Sequence, residues 1–264
     1  MGTARIVTDA GKAYIKALSN RQGPHPLACE LVAIQLAQWF GLPTFEFSIM
    51  ELLSEGAVTF LDGSLSQPGP AFVTRAAKDH QTWDGADIQL LQLENPEDIT
   101  RLVVFDNWIR NWDRHSPDNR DPNLDNVFLT SEGASRGRLR LIAMDNSHCF
   151  TSGGVLTSKS FQLASIQDAG LYGLFPAFIP FIKDEQIREA RDRLLAFTPA
   201  VASQFLAEIP TEWDVSKSVR EAWGEFLCRR ARFLADTIPQ ALARICWPGQ
   251  LWDDRRVKKK GGRR

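Results

Sequence analysis

Residues 111–150, NWDRHSPDNRDPNLDNVFLTSEGASRGRLRLIAMDNSHCF, decide how this chain is read. The stretch leaves a helical pattern, crosses a polar loop from Asp113 to Asn126, and then sets two apolar runs, NVFLT and RLRLIAM, around the turn SEGASRG. That spacing predicts a hairpin ending at Asp145. Adjacent strands run about 4.8 Å apart, so the start of one strand and the end of its antiparallel partner lie side by side. Asn126 and Asp145 are therefore expected to be neighbours. An Asp beside an Asn supplies hard oxygen ligands suited to Mg²⁺ and leaves coordination positions for water and phosphate. Asp113 is then free to orient or deprotonate an attacking hydroxyl. Phosphoryl transfer needs this division of labour, because its catalysis is mostly positioning plus charge neutralisation by metal.

Upstream, PEDITRLVVFDNWIRNW (96–112) has acids in its first turn and apolar residues at helical intervals, predicting a helix that delivers Asp113. At the front, ARIVT (4–8) and KAYIKAL (12–18) flank the turn signal Asp9-Ala10-Gly11 and read as a hairpin. Strand alternation puts Tyr14 and Lys16 on one face and Ala13, Ile15 and Ala17 on the other. After a loop from Ser19 to Pro26, LACELVAIQLAQWFGLP predicts a helix with Leu27, Leu31, Ile34, Ala37 and Trp39 near one stripe, stopped by Gly41 and Pro43. FEFSIMELL (45–53) is a strand candidate, residues 54–70 a loop, and AFVTR (71–75) a further apolar run. Here the lobe boundary is placed, giving residues 1–75 as a nucleotide-binding lobe and 76–250 as a mainly helical catalytic lobe. Helices are expected near 183–197, 199–208 and 216–245. Lys16 can reach a nucleotide's phosphates, and Glu30 on the following helix can hold that lysine in place.

The chain has 264 residues, 44% apolar and 24% charged, enough for one large domain or two lobes around a core. Its net charge of −1 provides no global field for nucleic acid or an acidic membrane. Seven of the 31 basic residues fall in 255–264, so residues 1–254 carry 24 bases against 32 acids, or −8. The basic end, 251–264, is expected to be a disordered tail. No run approaches the roughly 18 apolar residues of a membrane span, and no secretory leader is recognisable at the start, so a cytoplasmic protein is expected. Cys29, Cys149, Cys228 and Cys246 form no CxxC pair and read as reduced, mostly buried thiols. His115 and His148 come from separate segments with no third ligand at short spacing, which is weak support for zinc.

The order GKAYIKAL, ACELVAIQLAQWFGLP, NWDRH…DNVFL, LIAMDNSHCF resembles the HipA-like branch of the protein-kinase fold, and DRH…DN…MDNSH is also similar in form to the phosphoinositide kinases. The resemblance spans roughly residues 5–235. It implies a two-lobe α/β fold of the α+β kind, with a small β-rich N-terminal lobe and a larger helical C-terminal lobe. It implies that ATP and Mg²⁺ are used, with Lys16 on the phosphates, Glu30 as its ion-pair partner, Asp113 as catalytic base, and Asn126 and Asp145 as metal ligands. His148 would orient the catalytic loop near the cofactor, with His115 in a similar role. Phe72 and Val73, within AFVTR (71–75), would lie in the hinge strand or just beyond it, where adenine takes backbone hydrogen bonds. Two departures stand out. Asn126 follows Asp113 by thirteen positions where protein kinases have about five, so Asn119 and Asn123 remain alternative ligands. Asn126 is preferred because it directly precedes the run VFL. Only Gly2 and Gly11 are available for a phosphate-covering turn. The expected activity is a HipA-like serine/threonine protein kinase with a protein acceptor and an antitoxin-like partner. A small-molecule or phosphoinositide-type kinase and an inert nucleotide-binding pseudokinase are the alternatives.

Overall fold

A two-residue turn opens the first sheet, joining β1 (Thr3–Thr8) to β2 (Gly11–Lys16), with Gly11 at φ 120°, which suits a residue lacking Cβ. The computed structural model describes residues 3–19, 23–60, 63–118, 122–151, 154–250 and 252–253. Asn119, Gly2 and the basic end from 254 onward lie outside the described residues. Helix α1 (His25–Phe40) follows, then β3 (Phe47–Leu52) and β4 (Gly69–Arg75), completing an antiparallel sheet of order β1-β2-β4-β3. The register sets Lys16 opposite Phe72 and Tyr14 opposite Thr74. These four face a cleft, whereas Ala13, Ile15, Ala71 and Val73 face outward into an apolar cluster covered by Val58 and Phe60 of the following loop.

Helix α1 differs from the single apolar stripe expected of it. Thirteen of its sixteen residues are buried, because it lies between the sheet and the helical part and shares its core with both β4 and the later helices. A helix covered on all sides needs no polar face. It also begins at His25, since Pro26 fits the first turn, where its missing N–H costs nothing.

The chain then forms β5 (His80–Thr82) and the short α2 (Asp87–Leu91), neither of which the sequence pattern announces. Helix α3 (Glu97–Ile109) is almost wholly buried. It ends on Arg110 at φ 51°, a left-handed cap that turns the chain toward Asp113. Strands β6 (Phe128–Thr130) and β7 (Arg140–Ile142) pair antiparallel beside β5, giving a second sheet of order β5-β6-β7. Beyond α4 (Leu163–Ile166) come α5 (Asp184–Ala196), α6 (Pro199–Ala207) and the thirty-residue α7 (Lys217–Cys246). Thr198 and Ser216 cap α6 and α7 by accepting the N–H groups of Val201 and Val219.

From α7, the buried Arg230 reaches across the core and donates to the Asn107 and Trp108 carbonyls at the end of α3 and to those of Ser165, Ile166 and Asp168. Burial pushes its pKa down to about 10. One cation thus offsets the C-terminal dipole of α3 and fixes where the following loop begins. The four cysteines are free, with Cys29, Cys149 and Cys228 buried. Among the described residues, no helix is long and apolar enough to cross a membrane.

Candidate active site

Lys16 ends β2 on the cleft face, and its ammonium donates to Glu30 Oε2 at 2.8 Å, Asp145 Oδ1 at 2.9 Å and Ser147 Oγ at 3.3 Å. Glu30 is oriented in turn, its Oε1 accepting from the Asn146 backbone N–H at 3.2 Å. Burial pushes the lysine's pKa down, but the Asp145 and Glu30 carboxylates outweigh it and hold Lys16 above its usual range. Burial likewise raises the Asp145 carboxyl, and the Lys16 charge overcomes this, helped by Lys16 and Ser147 as donors and by nearby His148, leaving it below the ordinary value. Asp145 lies beyond the end of β7 at φ 54°, a left-handed conformation that costs a non-glycine residue about 1 kcal/mol.

The second half of the site is built on the loop after α3. Asn126 closes a 3₁₀ turn, Leu124–Asn126, and its amide Nδ2 donates to Asp113 Oδ2 at 2.9 Å. Asp113 is half-buried, and Asn126 is buried. Asn123 sits at the start of that turn, where its backbone N–H donates to the Arg114 carbonyl at 3.0 Å.

A single guanidinium ties the two halves together. Arg114 is wholly buried and pairs with the equally buried Asp106 at 2.8 Å. It donates to the Asn126 carbonyl, to the Met144 carbonyl at 3.3 Å and to Asn146 Oδ1 at 3.1 Å. Asn126 and the Met144–Asn146 segment carrying Asp145 are therefore held around one planar fork. Arg114 is turned inward onto Asp106, and no periodicity in the sequence signals that turn. Burial raises the Asp106 carboxyl despite the Arg114 charge. Asn111 donates to Asp106 at 3.0 Å and to Asn146 at 3.2 Å.

Lys16, Glu30 and Asp145 line a cavity of about 270 Å³ between the two sheets, together with Phe72, Phe45 and Met144. Part of its lining is aromatic, with His80 stacked on Phe128 at 5.9 Å and bonded to the Tyr14 hydroxyl at 3.3 Å. The sequence reading missed Tyr14, Phe45, His80, Phe128 and Met144, which come from five separate segments. Phe72 lines the cavity, whereas Val73 points into the outer cluster and its backbone is paired between β2 and β3. His148 is half-buried beyond Asp145. His115 is buried edge-on to Phe175 at 4.8 Å, and its Nδ1 meets the Ser116 carbonyl at 3.1 Å. A larger recess of about 580 Å³ between α6 and α7 contains none of these groups.

The donor chemistry fits magnesium. Asn126 spends its Nδ2 on Asp113, which leaves the amide oxygen as a hard ligand, and Asp145 supplies carboxylate. Asn111 Oδ1 and Asn146 Nδ2 are buried without a partner among the described residues. Bound by Asn126 and Asp145, the ion would offset charge on phosphate oxygens.

A small antiparallel sheet, a lysine–glutamate pair beneath it, and an Asp–Asn–Asp set on the helical part together define a kinase-like architecture. The family profile of HipA-like kinases matches residues 7–152, and the chain belongs to that family. The chain is similar in structure to the proinflammatory kinase CtkA of Helicobacter pylori, with a TM-score of 0.55 at 12% identity over 92% of this chain and 94% of that one. It also matches HipA of Shewanella oneidensis MR-1, from a toxin–antitoxin complex with HipB and operator DNA, with a TM-score of 0.42 at 10% identity over 90% of this chain and 66% of that one. No curated protein matches.

Proposed function

We propose that this chain transfers the γ-phosphoryl group of MgATP to the hydroxyl of a protein serine or threonine. The observation that carries this reading is Lys16 held at once by Glu30 and Asp145 in a cavity closed by aromatic side chains. In this reading Lys16 binds phosphate oxygens, and Asp145 with Asn126 holds the ion. Asp113, fixed by the Asn126 amide, accepts the proton of the attacking hydroxyl. The acceptor oxygen forms its bond to the γ-phosphorus as the bond to the bridging oxygen breaks, and ADP leaves. Positioning of this kind supplies most of the acceleration in phosphoryl transfer. Membership of the HipA-like family supports the protein acceptor and an antitoxin-like partner protein.

The test is transfer of label from γ-labelled ATP, with Mg²⁺, to a mixed protein substrate and to the chain itself. Wild type is expected to label protein, and Asp145→Asn and Asp113→Asn to fall at least a hundredfold. An Asp145→Asn protein as active as wild type would overturn the reading. Label found only in a small alcohol would move the acceptor to the small-molecule class. One observation favours an inert nucleotide binder: the β1–β2 turn is two residues long and offers little cover for phosphates. Calorimetry showing MgATP binding without turnover would select that reading.

A further inference from the structure

Trp112 directly precedes Asp113 and keeps 40% of its surface exposed, whereas the other seven tryptophans are buried or half-buried. At contact surfaces Trp is enriched among the residues that carry binding energy. The inner side of this indole is fixed. It packs on Tyr172 with ring centroids 5.9 Å apart, and Tyr172 is itself 1% exposed.

The support beneath it is rigid. The Tyr172 hydroxyl donates to Asp168 Oδ2 at 2.5 Å, and Arg110 pairs with the same oxygen at 2.9 Å. The Tyr172 backbone exchanges two bonds with the Asn107 side chain, at 2.9 and 3.1 Å. Two glycines let this segment press onto α3 and the loop that follows it. A Cβ on Gly170 would sit 2.7 Å from Pro117, and one on Gly173 would run into the Asp106 side chain. The Gly173 N–H closes the contact on the His115 carbonyl at 2.9 Å.

We infer that Trp112 is a specificity-determining residue for the acceptor: its open face receives an apolar or aromatic side chain of a peptide segment whose hydroxyl is presented to Asp113. This rests on the kinase reading above and narrows it to acceptors bearing such a side chain close to the phosphorylated residue. Neighbouring Cα atoms are about 3.8 Å apart, and an extended peptide advances about 3.3 Å per residue, so the matching side chain lies within two or three residues of the acceptor. A shelf already locked by Tyr172, Asp168 and Arg110 loses little conformational entropy on binding.

The test uses a positional-scanning library of Ser and Thr peptides with the full chain, comparing wild type, Trp112→Ala and Trp112→Phe. Wild type is expected to select large apolar or aromatic residues at one position within three of the acceptor. Trp112→Ala should flatten that selection and raise the KM of the best peptide about tenfold, while the KM for MgATP stays within twofold. Trp112→Phe should restore most of the preference. Selection that persists in Trp112→Ala, or wild type showing no apolar preference, overturns the inference and leaves the kinase reading intact. Phosphate transferred to a small alcohol and never to a peptide overturns it together with the protein acceptor, and leaves phosphoryl transfer itself standing. A wild-type protein that transfers phosphate to no acceptor, itself included, overturns both.

Discussion

At Lys16 three charges meet within 3 Å, and their balance has consequences for stability as well as chemistry. Removing the ammonium leaves Glu30 and Asp145 facing each other with no cation, so Lys16→Met is expected to cost about 3 kcal/mol in urea unfolding, besides abolishing transfer. Adding Glu30→Gln should return part of that loss, because one uncompensated carboxylate is then gone. The sign of the pH dependence follows from the shifts. Asp145 is held below its unfolded pKa, so its contribution is present above about pH 4 and fades as the pH falls through the lower folded value. Lys16 is held above its unfolded pKa, so its contribution is complete below about pH 10 and fades only at higher pH. Urea midpoints should therefore be level between about pH 5 and 9 and drop on the acid side, and the drop should shrink in Lys16→Met. Arg114 tests a different point: an ammonium cannot span the Asn126 and Met144 carbonyls as a guanidinium does. Arg114→Lys is expected to lower the rate of transfer ten- to a hundredfold with MgATP affinity within about threefold, measured by single-turnover kinetics and calorimetry. The Lys16–Glu30 pair was legible from a strand lysine followed by a helix carboxylate in the order of the family resembled, whereas the bond from Lys16 to Asp145 comes from the fold alone. Arg114 was not legible either, since only the tertiary fold decides whether an arginine beside a loop aspartate faces water or the core.

Elements place these residues, and the end of α3 matters most, because the loop carrying Asp113 starts there. Its last carbonyls have no intrahelical donors and are buried, so Arg230 supplies them from α7. Replacing Arg230 with Met keeps the volume but strands those carbonyls, and a loss of about 2–4 kcal/mol in unfolding free energy is expected. The Gly173 contact is equally exacting. Alanine there combines φ +70° with a Cβ driven into Asp106, so Gly173→Ala should destabilise by about 2 kcal/mol or more and lower transfer by displacing the Asp106–Arg114 pair. The helices α5, α6 and α7 were legible to within two residues because Thr198, Pro199 and Ser216 mark their starts. The strand β5 and helix α2 were not: three and five residues are too few to show a period. The stripe expected on α1 failed for another reason, since a helix enclosed by sheet and helices carries apolar residues all round.

At the scale of the molecule, the Lys16–Asp145 pair joins the first sheet to the helical part across the cavity, and the two sheets otherwise meet there through side chains lining an opening. In the kinase reading MgATP exchanges this pair: phosphate takes the ammonium, and the ion takes the carboxylate. Nucleotide without metal satisfies only Lys16 and sets its phosphate charge against Asp145. Binding to the folded chain alone stabilises it by RT ln(1 + [L]/Kd), about 2.7 kcal/mol at a hundredfold excess over Kd, which for a chain of this size raises Tm by about 5–10 °C. MgATP is therefore expected to raise the melting temperature by that amount, and ATP with EDTA by clearly less. In Asp145→Asn the advantage of adding Mg²⁺ should shrink while the shift from ATP alone grows, because the carboxylate that repels the phosphates has gone. Equal shifts with and without Mg²⁺ in wild type would mean that Asp145 does not meet the ion. Differential scanning fluorimetry of the two proteins under the two conditions reads all four values.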